Sequence, residues 1–128
     1  MSELSVVVDT NFLMIPGLFG VDIFSELDRV LDRKFKLIIP EPVVKELNRL
    51  ARGASAERSA AKIALALVRR GRVVKTDAPA DDAILELAEG ESTVVGTNDA
   101  RLRKELRARG VPVIYLRQKS HLAVNGRV

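Results

Sequence analysis

Apolar residues fall into short, nearly unbroken runs rich in β-branched side chains: Leu4 to Val8, Lys36 to Ile39, Val94 and Val95 with their flanks, and Val111 to Leu116. A shorter fifth run covers Arg72 to Lys75. A strand with one wet face alternates apolar and polar residues, whereas one covered on both faces reads as a continuous apolar run. Five buried strands are therefore predicted. Between them apolar residues recur at helical spacing. Three of these helical patterns end at Arg70-Gly71, Glu89-Gly90 and Arg109-Gly110, each followed by a strand. Glycine there is expected to close the helix in the left-handed conformation. Pro42, Asp81 and Asn98-Asp99 mark helix starts. The alanine-rich stretch Ala54 to Arg70 predicts one long helix with Ile63 and Leu67 facing inward. Strands alternating with helices give parallel strands joined by right-handed crossovers. The expected fold is α/β, three-layered α/β/α, with a central parallel sheet of about five strands. One domain spans 1–128. Its short basic C-terminal tail, from about residue 117, is expected to fold back as a short strand or to turn around Asn125-Gly126.

Composition narrows the chemistry. Of 128 residues, 47% are hydrophobic and 30% charged, which excludes a disordered chain. The absence of cysteine excludes a disulfide scaffold, a thiolate metal site and a cysteine nucleophile. A lone histidine, His121, excludes a multi-histidine zinc site and reads as a surface residue in a polar tail. With no tryptophan and five aromatic residues, a base-stacking platform is not expected. Phe12, Phe19, Phe24 and Phe35 read as core or oligomer contacts, and an exposed Leu18-Phe19 pair would suit a homodimer. No apolar run approaches the ~20 residues that span a bilayer. The N-terminal MSELSVVVD has neither the basic region nor the apolar stretch of a signal peptide. A cytoplasmic protein without membrane association is expected.

The net charge of +4 is unevenly placed. Residues 101–128 carry eight Lys or Arg against Glu105 alone, a balance of +7, while the first hundred carry thirteen against sixteen acids, a balance of −3. A basic end beside an acidic body suits a polyanion partner and a site that needs carboxylates.

Open parallel sheets bind ligands beyond the carboxyl ends of their strands, near the point where strand order reverses. Asp9 ends the first strand, in VVVDTN, and Thr97, Asn98 and Asp99 follow the TVV strand, in VVGTND. Each is also a good helix cap. In the helix at Pro42, Glu46 lies three residues after Val43 and four before Leu50, so its phase predicts projection with the buried stripe. In ADDAILELAEG, Asp81 shares the face of Ile84, Leu85 and Ala88, and Asp82 the opposite one. Asp9, Glu46, Asp81 and Asp99 are thus expected to converge on one cleft with no Lys or Arg between them. Clustered carboxylates repel, and a divalent cation relieves them. Oxygen donors without His or Cys select Mg²⁺ or Mn²⁺ over zinc. Such an ion polarises a phosphodiester and lowers the pKa of an attacking water.

The order VVVDTN, PEPVVKEL, ADDAILELA, VVGTNDARLRKEL resembles the PIN-domain nucleases over nearly the whole chain. That resemblance implies a three-layer α/β domain that cuts RNA with Mg²⁺ or Mn²⁺. It places the metal-binding and catalytic acids at Asp9, Glu46, Asp81 and Asp99. It further implies that Asn11, Thr97 and Asn98, with Asp82 alongside, support the acids. Arg101, Arg103 and Lys104, followed by Arg107 on the same helix, would meet RNA phosphates. The ending DARLRKELRARGVPVIYLRQKSHL resembles the branch of eukaryotic small-subunit ribosomal-RNA processing nucleases and their archaeal single-domain relatives. The expected partner is then RNA, such as an rRNA precursor. The VapC toxins share the fold and acids, and that reading would add an antitoxin partner. Two other classes compete. A phosphoacceptor receiver domain needs an acidic pair after the first strand, where this chain has Thr10-Asn11 after Asp9, and an aspartate where Lys36 to Ile39 ends in Pro40. A non-catalytic RNA-binding assembly module would keep the acids for a structural ion.

Overall fold

The buried apolar runs pair side by side around the most apolar one. In the computed structural model, which describes residues 3–128, the chain runs β1 (Leu4–Val8), α1 (Thr10–Leu13), α2 (Ile15–Phe19), α3 (Ile23–Leu31), β2 (Phe35–Pro40), α4 (Glu41–Arg52) and α5 (Arg58–Val68). It continues β3 (Arg72–Val74), α6 (Ala80–Leu87), β4 (Thr93–Gly96), α7 (Ala100–Ala108), β5 (Val113–Arg117) and β6 (His121–Asn125). Met1 and Ser2, where the reading of the N-terminal segment begins, lie outside the described residues. Among those residues no helix is long and apolar enough to cross a membrane.

One sheet has the order β3-β2-β1-β4-β5-β6. The chain steps outward from β1 to β2 and β3, then crosses to β4 on the other side of β1, so strand order reverses between β1 and β4. The first five strands are parallel. Alternation along each strand supplies two cores. Val6, Val8, Leu37, Ile39, Val94 and Ile114 pack with Phe12, Leu27, Leu47 and Ala61 on one face. Val7, Ile38, Val95 and Val113 pack with Ile84, Leu102 and Leu106 on the other. Burying a side chain such as Leu27 stabilises the fold by roughly 1.5–3 kcal/mol. This is the three-layer α/β/α arrangement expected from the sequence.

Several details differ. The sheet has six strands and not about five, because the tail, folding back as a short strand as one of the expected courses has it, pairs as β6, antiparallel to β5, with Arg117 opposite His121. The chain reverses at Gln118 and Lys119, not at Asn125-Gly126, and both have positive φ, 54° and 57°. The Ser120 N–H closes the turn on the Arg117 carbonyl at 3.2 Å. Two central residues of positive φ match the twist of a hairpin, but the conformation costs a non-glycine residue roughly 1–2 kcal/mol. The outer edge of β6 is covered by side chains of α3. The Leu122 N–H donates to Glu26 Oε1 at 2.9 Å, and Arg29 Nη2 donates to the Leu122 carbonyl at 2.9 Å. Arg29 also pairs with Glu26 at 2.8 Å, and these bonds hold the Glu26 carboxyl well below its usual range, at about 2.

The alanine-rich helix covers Arg58–Val68 only, and Ile63 is exposed while Ala60, Ala61 and Ala64 are buried. The buried stripe is small because α2 lies close: a Cβ on Gly17 would come within 2.5 Å of the Ala60 Cα. Leu67 does pack against the core. Of the three glycines expected to be left-handed, Gly110 is, at φ 80°, but Gly71 and Gly90 are not. Gly71 is needed for space, since a Cβ there would lie 2.9 Å from Leu37 Cβ and 3.0 Å from the Leu37 carbonyl oxygen, as well as 2.6 Å from Ile39 Cδ1. After α6 the left-handed residue is Ser92.

Gly96 ends β4 directly below the ring of Phe12, where a Cβ would meet ring carbons at 2.9 Å. Overpacking so close a contact costs roughly 1–3 kcal/mol. Gly96→Ala is expected to lower stability by that amount in chemical denaturation. Gly53→Ala, whose Cβ would find its nearest neighbour at 3.5 Å, should leave it unchanged or slightly raised.

Candidate active site

Every parallel strand delivers its carboxyl end to one edge of the sheet, and the crevice between β1 and β4 opens there. Asp9 leaves β1 in extended conformation and caps α1, its Oδ1 accepting the Phe12 N–H at 2.8 Å. The other oxygen, Oδ2, accepts a hydrogen bond from Thr97 Oγ1, which is fully buried just past the end of β4. Thr97 Oγ1 in turn accepts the Asp99 N–H at 3.1 Å. The hydroxyl thus accepts from Asp99 and donates its one hydrogen to the Asp9 carboxylate. Asp99 caps α7, with Oδ1 accepting the N–H groups of Arg101 at 2.9 Å and Leu102 at 3.1 Å. Capping and site placement, alternatives in the sequence, coincide: each aspartate caps a helix at the same edge.

Burial pushes the Asp9 carboxyl up to about 6. Its bonds to Thr97 and Phe12 oppose this, while the charges of Asp99 and Asp81 reinforce it. Asp81 is also raised, first by desolvation, then by Asp99 and Asp82, with Arg101 opposing. Asp9, Asp81 and Asp99 therefore act on one another's charge.

The remaining expected residues are placed less simply. Asp81 and Asp82 are both exposed in the first turn of α6, whose N-cap is Pro79, so Asp81 is not buried as its phase predicts, yet it is Asp81 whose charge acts on Asp9. The buried side of α6 is Ala83, Ile84 and Ala88. Glu46 does not project with the buried stripe. At 100° per residue it sits about 60° from Val43, at the stripe's margin. It is exposed there and pairs with Arg49 at 3.6 Å. Cations do stand among the acids: Arg49 beside Glu46 and Arg101 acting on Asp81. Asn11 is exposed on α1, and Asn98 Oδ1 accepts the Leu116 N–H at 2.8 Å, tying the site to β5. Arg101 and Lys104 are exposed on α7, while the Arg103 guanidinium lies 4.3 Å over the Tyr115 ring.

Leu18 and Phe19 were not expected at the site. They are exposed, and with Asn11, Asn98 and Asp99 they line a cavity of about 300 Å³. No periodicity could reveal this, because α2 has only five residues.

The donor set at this edge is all oxygen, and the rise in Asp9 and Asp81, caused first by desolvation, includes a smaller mutual repulsion that a divalent cation would relieve. The residues fit such an ion chemically. Among the described residues, however, no three His, Cys, Asp or Glu side chains are already gathered as a metal cage.

An open α/β sheet with acidic helix caps at its switch point defines the class: a doubly wound domain with a carboxylate site. Residues 6–119 match the family described as PIN like domain, and the chain belongs to that family. Ribonuclease VapC4 of Methanocaldococcus jannaschii is 35% identical over 128 residues, covering 96% of this chain and 98% of that protein. Ribonuclease VapC9 of Archaeoglobus fulgidus is 34% identical over 119 residues, covering 92% of this chain and 87% of that protein. The solved structure of the PIN domain endonuclease Utp24 superposes with a TM-score of 0.80 at 26% identity, covering 97% of this chain and 92% of that one.

A carboxylate whose folded pKa is raised favours the folded state only below its unfolded value, and that advantage is lost as pH rises through the folded one. For Asp9 the window runs from 3.8 to about 6, and the resulting penalty at neutral pH is about 3 kcal/mol. In chelator-treated buffer at pH 7.5, Asp9→Asn should therefore raise the unfolding free energy by up to about that amount. The gain should vanish below about pH 4.

Proposed function

We propose that this protein is a metal-dependent endoribonuclease that hydrolyses RNA phosphodiester bonds in the cytoplasm. The observation carrying the reading is the Asp9 carboxylate, held by Thr97 and Phe12 at the switch point and facing the charges of Asp81 and Asp99. The full-length likeness to proteins named ribonuclease supports it. Asp9, Asp81 and Asp99 would hold Mg²⁺ or Mn²⁺, with Glu46 at the margin. Bound there, the ion would polarise the phosphate and lower the pKa of the attacking water. Asp9 presents fixed oxygens, because both accept hydrogen bonds from groups that are themselves anchored. Thr97 keeps that carboxylate oriented, as a hydrogen-bonded outer partner does for a metal ligand. Arg101 and Lys104 at the start of α7 offset phosphate charge.

Maturation of RNA such as an rRNA precursor is the role we favour, supported by the likeness to Utp24. A toxin with an antitoxin partner is the second reading, favoured by the two VapC relatives. An adjacent small antitoxin-like reading frame would reverse that order. Homodimerisation through Leu18 and Phe19 belongs to the same proposal. Sedimentation should show a concentration-dependent dimer that Phe19→Ser dissociates, and a monomer at every concentration would refute it.

The decisive assay incubates single-stranded RNA with Mn²⁺ and the native chain, Asp9→Asn or Asp81→Asn. Each variant is expected to lose at least about 100-fold in rate, and Thr97→Val roughly 10–100-fold. Equal cleavage by all would refute the mechanism. Because the ion needs the ionised carboxylate, activity at limiting metal should rise with pH through the Asp9 value of about 6.

A further inference from the structure

The β5–β6 turn stands at the same edge of the sheet as the acids. β5 is parallel to β4 and lies one strand spacing away, about 4.8 Å, with the Thr97 N–H bonded to the Ile114 carbonyl at 3.0 Å. Asn98 beside the acids holds the Leu116 N–H, so the hairpin leaves the sheet directly from the site. Its tip carries Arg117 and Lys119, both exposed. Val113, Tyr115 and Arg117 alternate onto one face of β5, and the Tyr115 ring there carries the Arg103 guanidinium of α7. Positive charge therefore continues from Arg101 and Lys104 on α7, across Arg103, to the hairpin tip.

Two further observations set this turn apart from an ordinary solvated loop. Gln118 and Lys119 occupy the left-handed positions that a hairpin fills with least strain by Asn-Gly. Strain of this kind persists only where surrounding structure over-determines it, and it collects at ligand-binding segments. Here the surrounding structure is explicit. Glu26 and Arg29 clamp both main-chain groups of Leu122, fixing β6 against α3, so the tip is presented on a rigid arm. A long cationic side chain thus stands where glycine would relax the chain.

We propose that the β5–β6 turn is a phosphate-backbone subsite for single-stranded RNA, in which Arg117 and Lys119 hold phosphates flanking the one being cut. The assignment rests on the ribonuclease reading. The subsite contacts phosphates and not bases, so it contributes affinity and register without sequence preference.

The test measures binding of a short fluorescent single-stranded RNA in Mg²⁺ buffer over a range of salt, with Asp9→Asn in every chain so that the RNA stays intact. Removing both cations, Arg117→Ala with Lys119→Ala, is expected to weaken binding at least tenfold. The slope of log affinity against log salt should fall by about 1.4, or 0.7 per phosphate contact. Lys34→Ala with Lys62→Ala removes the same charge away from the turn and is the control. Gln118→Asn with Lys119→Gly should raise the melting temperature by about 3 °C or more, because it relaxes the turn, while weakening binding. A turn kept only for folding would give the first result without the second. The subsite is overturned if both turn variants bind as the control does, or if the Asn-Gly turn melts lower than its parent. If the native chain neither cleaves nor binds RNA, the ribonuclease reading itself fails and the subsite with it. Cleavage and binding independent of residues 117 and 119 overturn the subsite alone.

Discussion

The hydroxyl of Thr97 meets the carboxylate of Asp9 across the gap between β4 and β1, and the layout of the site depends on that bond. It joins strands distant in sequence at the place where the sheet's order reverses. Thr97 is fully buried, so its hydroxyl must be satisfied internally, and it is satisfied twice: by the Asp99 N–H and by Asp9. One side chain thereby aligns the ends of β1 and β4 and the start of α7. Gly96 just before it lets the Phe12 ring close against the strand, so the cap of α1 and the end of β4 are packed as one unit.

The acids occupy positions that helix formation already requires. Asp9 and Asp99 each satisfy free N–H groups of a first turn, which gives them fixed oxygens without a dedicated scaffold. Burial and mutual repulsion then raise Asp9 to about 6 and raise Asp81 as well, so the folded protein holds an unfavourable field. A cation would turn that field into binding free energy. Glu46 stands apart from this group: it is exposed and paired with Arg49, and it is not among the charges that act on Asp9 or Asp81.

The opposite tactic governs the edge of the sheet at β6. An unpaired edge exposes main-chain groups that invite another strand. Here α3 sets a Glu–Arg pair on both groups of Leu122, and the Glu26 carboxyl is driven down to about 2 by its bonds to Arg29 and to the Leu122 N–H. The same clamp turns a polar tail into a sixth strand with a rigid turn beside the acids.

Much of this was legible in the chain. Continuous β-branched runs specify strands buried on both faces, and their alternation with helices leaves few topologies, so layers, parallel pairing and the positions of Asp9 and Asp99 at strand ends follow from local pattern alone. Phase within a helix was less reliable for single polar residues. Glu46 lies about 60° from Val43 and about 40° from Leu50, at the margin of the apolar stripe, and a long side chain there reaches solvent as readily as a cleft. Asp81 was singled out by the same argument, yet it is exposed, and only its field with Asp9 and Asp99 links it to them. Pairing decided the rest. The tail became β6 because β5 offered a free edge and α3 supplied partners for Leu122, none of which is encoded within residues 117–128 themselves. Gly71 proved to be a matter of space against Ile39, and the exposed Leu18 and Phe19 were carried to the acids by the packing of α2 on α5. Local sequence determined the elements and the acidic ends, because backbone preference and burial act over a few residues. The tertiary structure alone decided which charges share a field, because that depends on distances between strands the chain brings together only on folding.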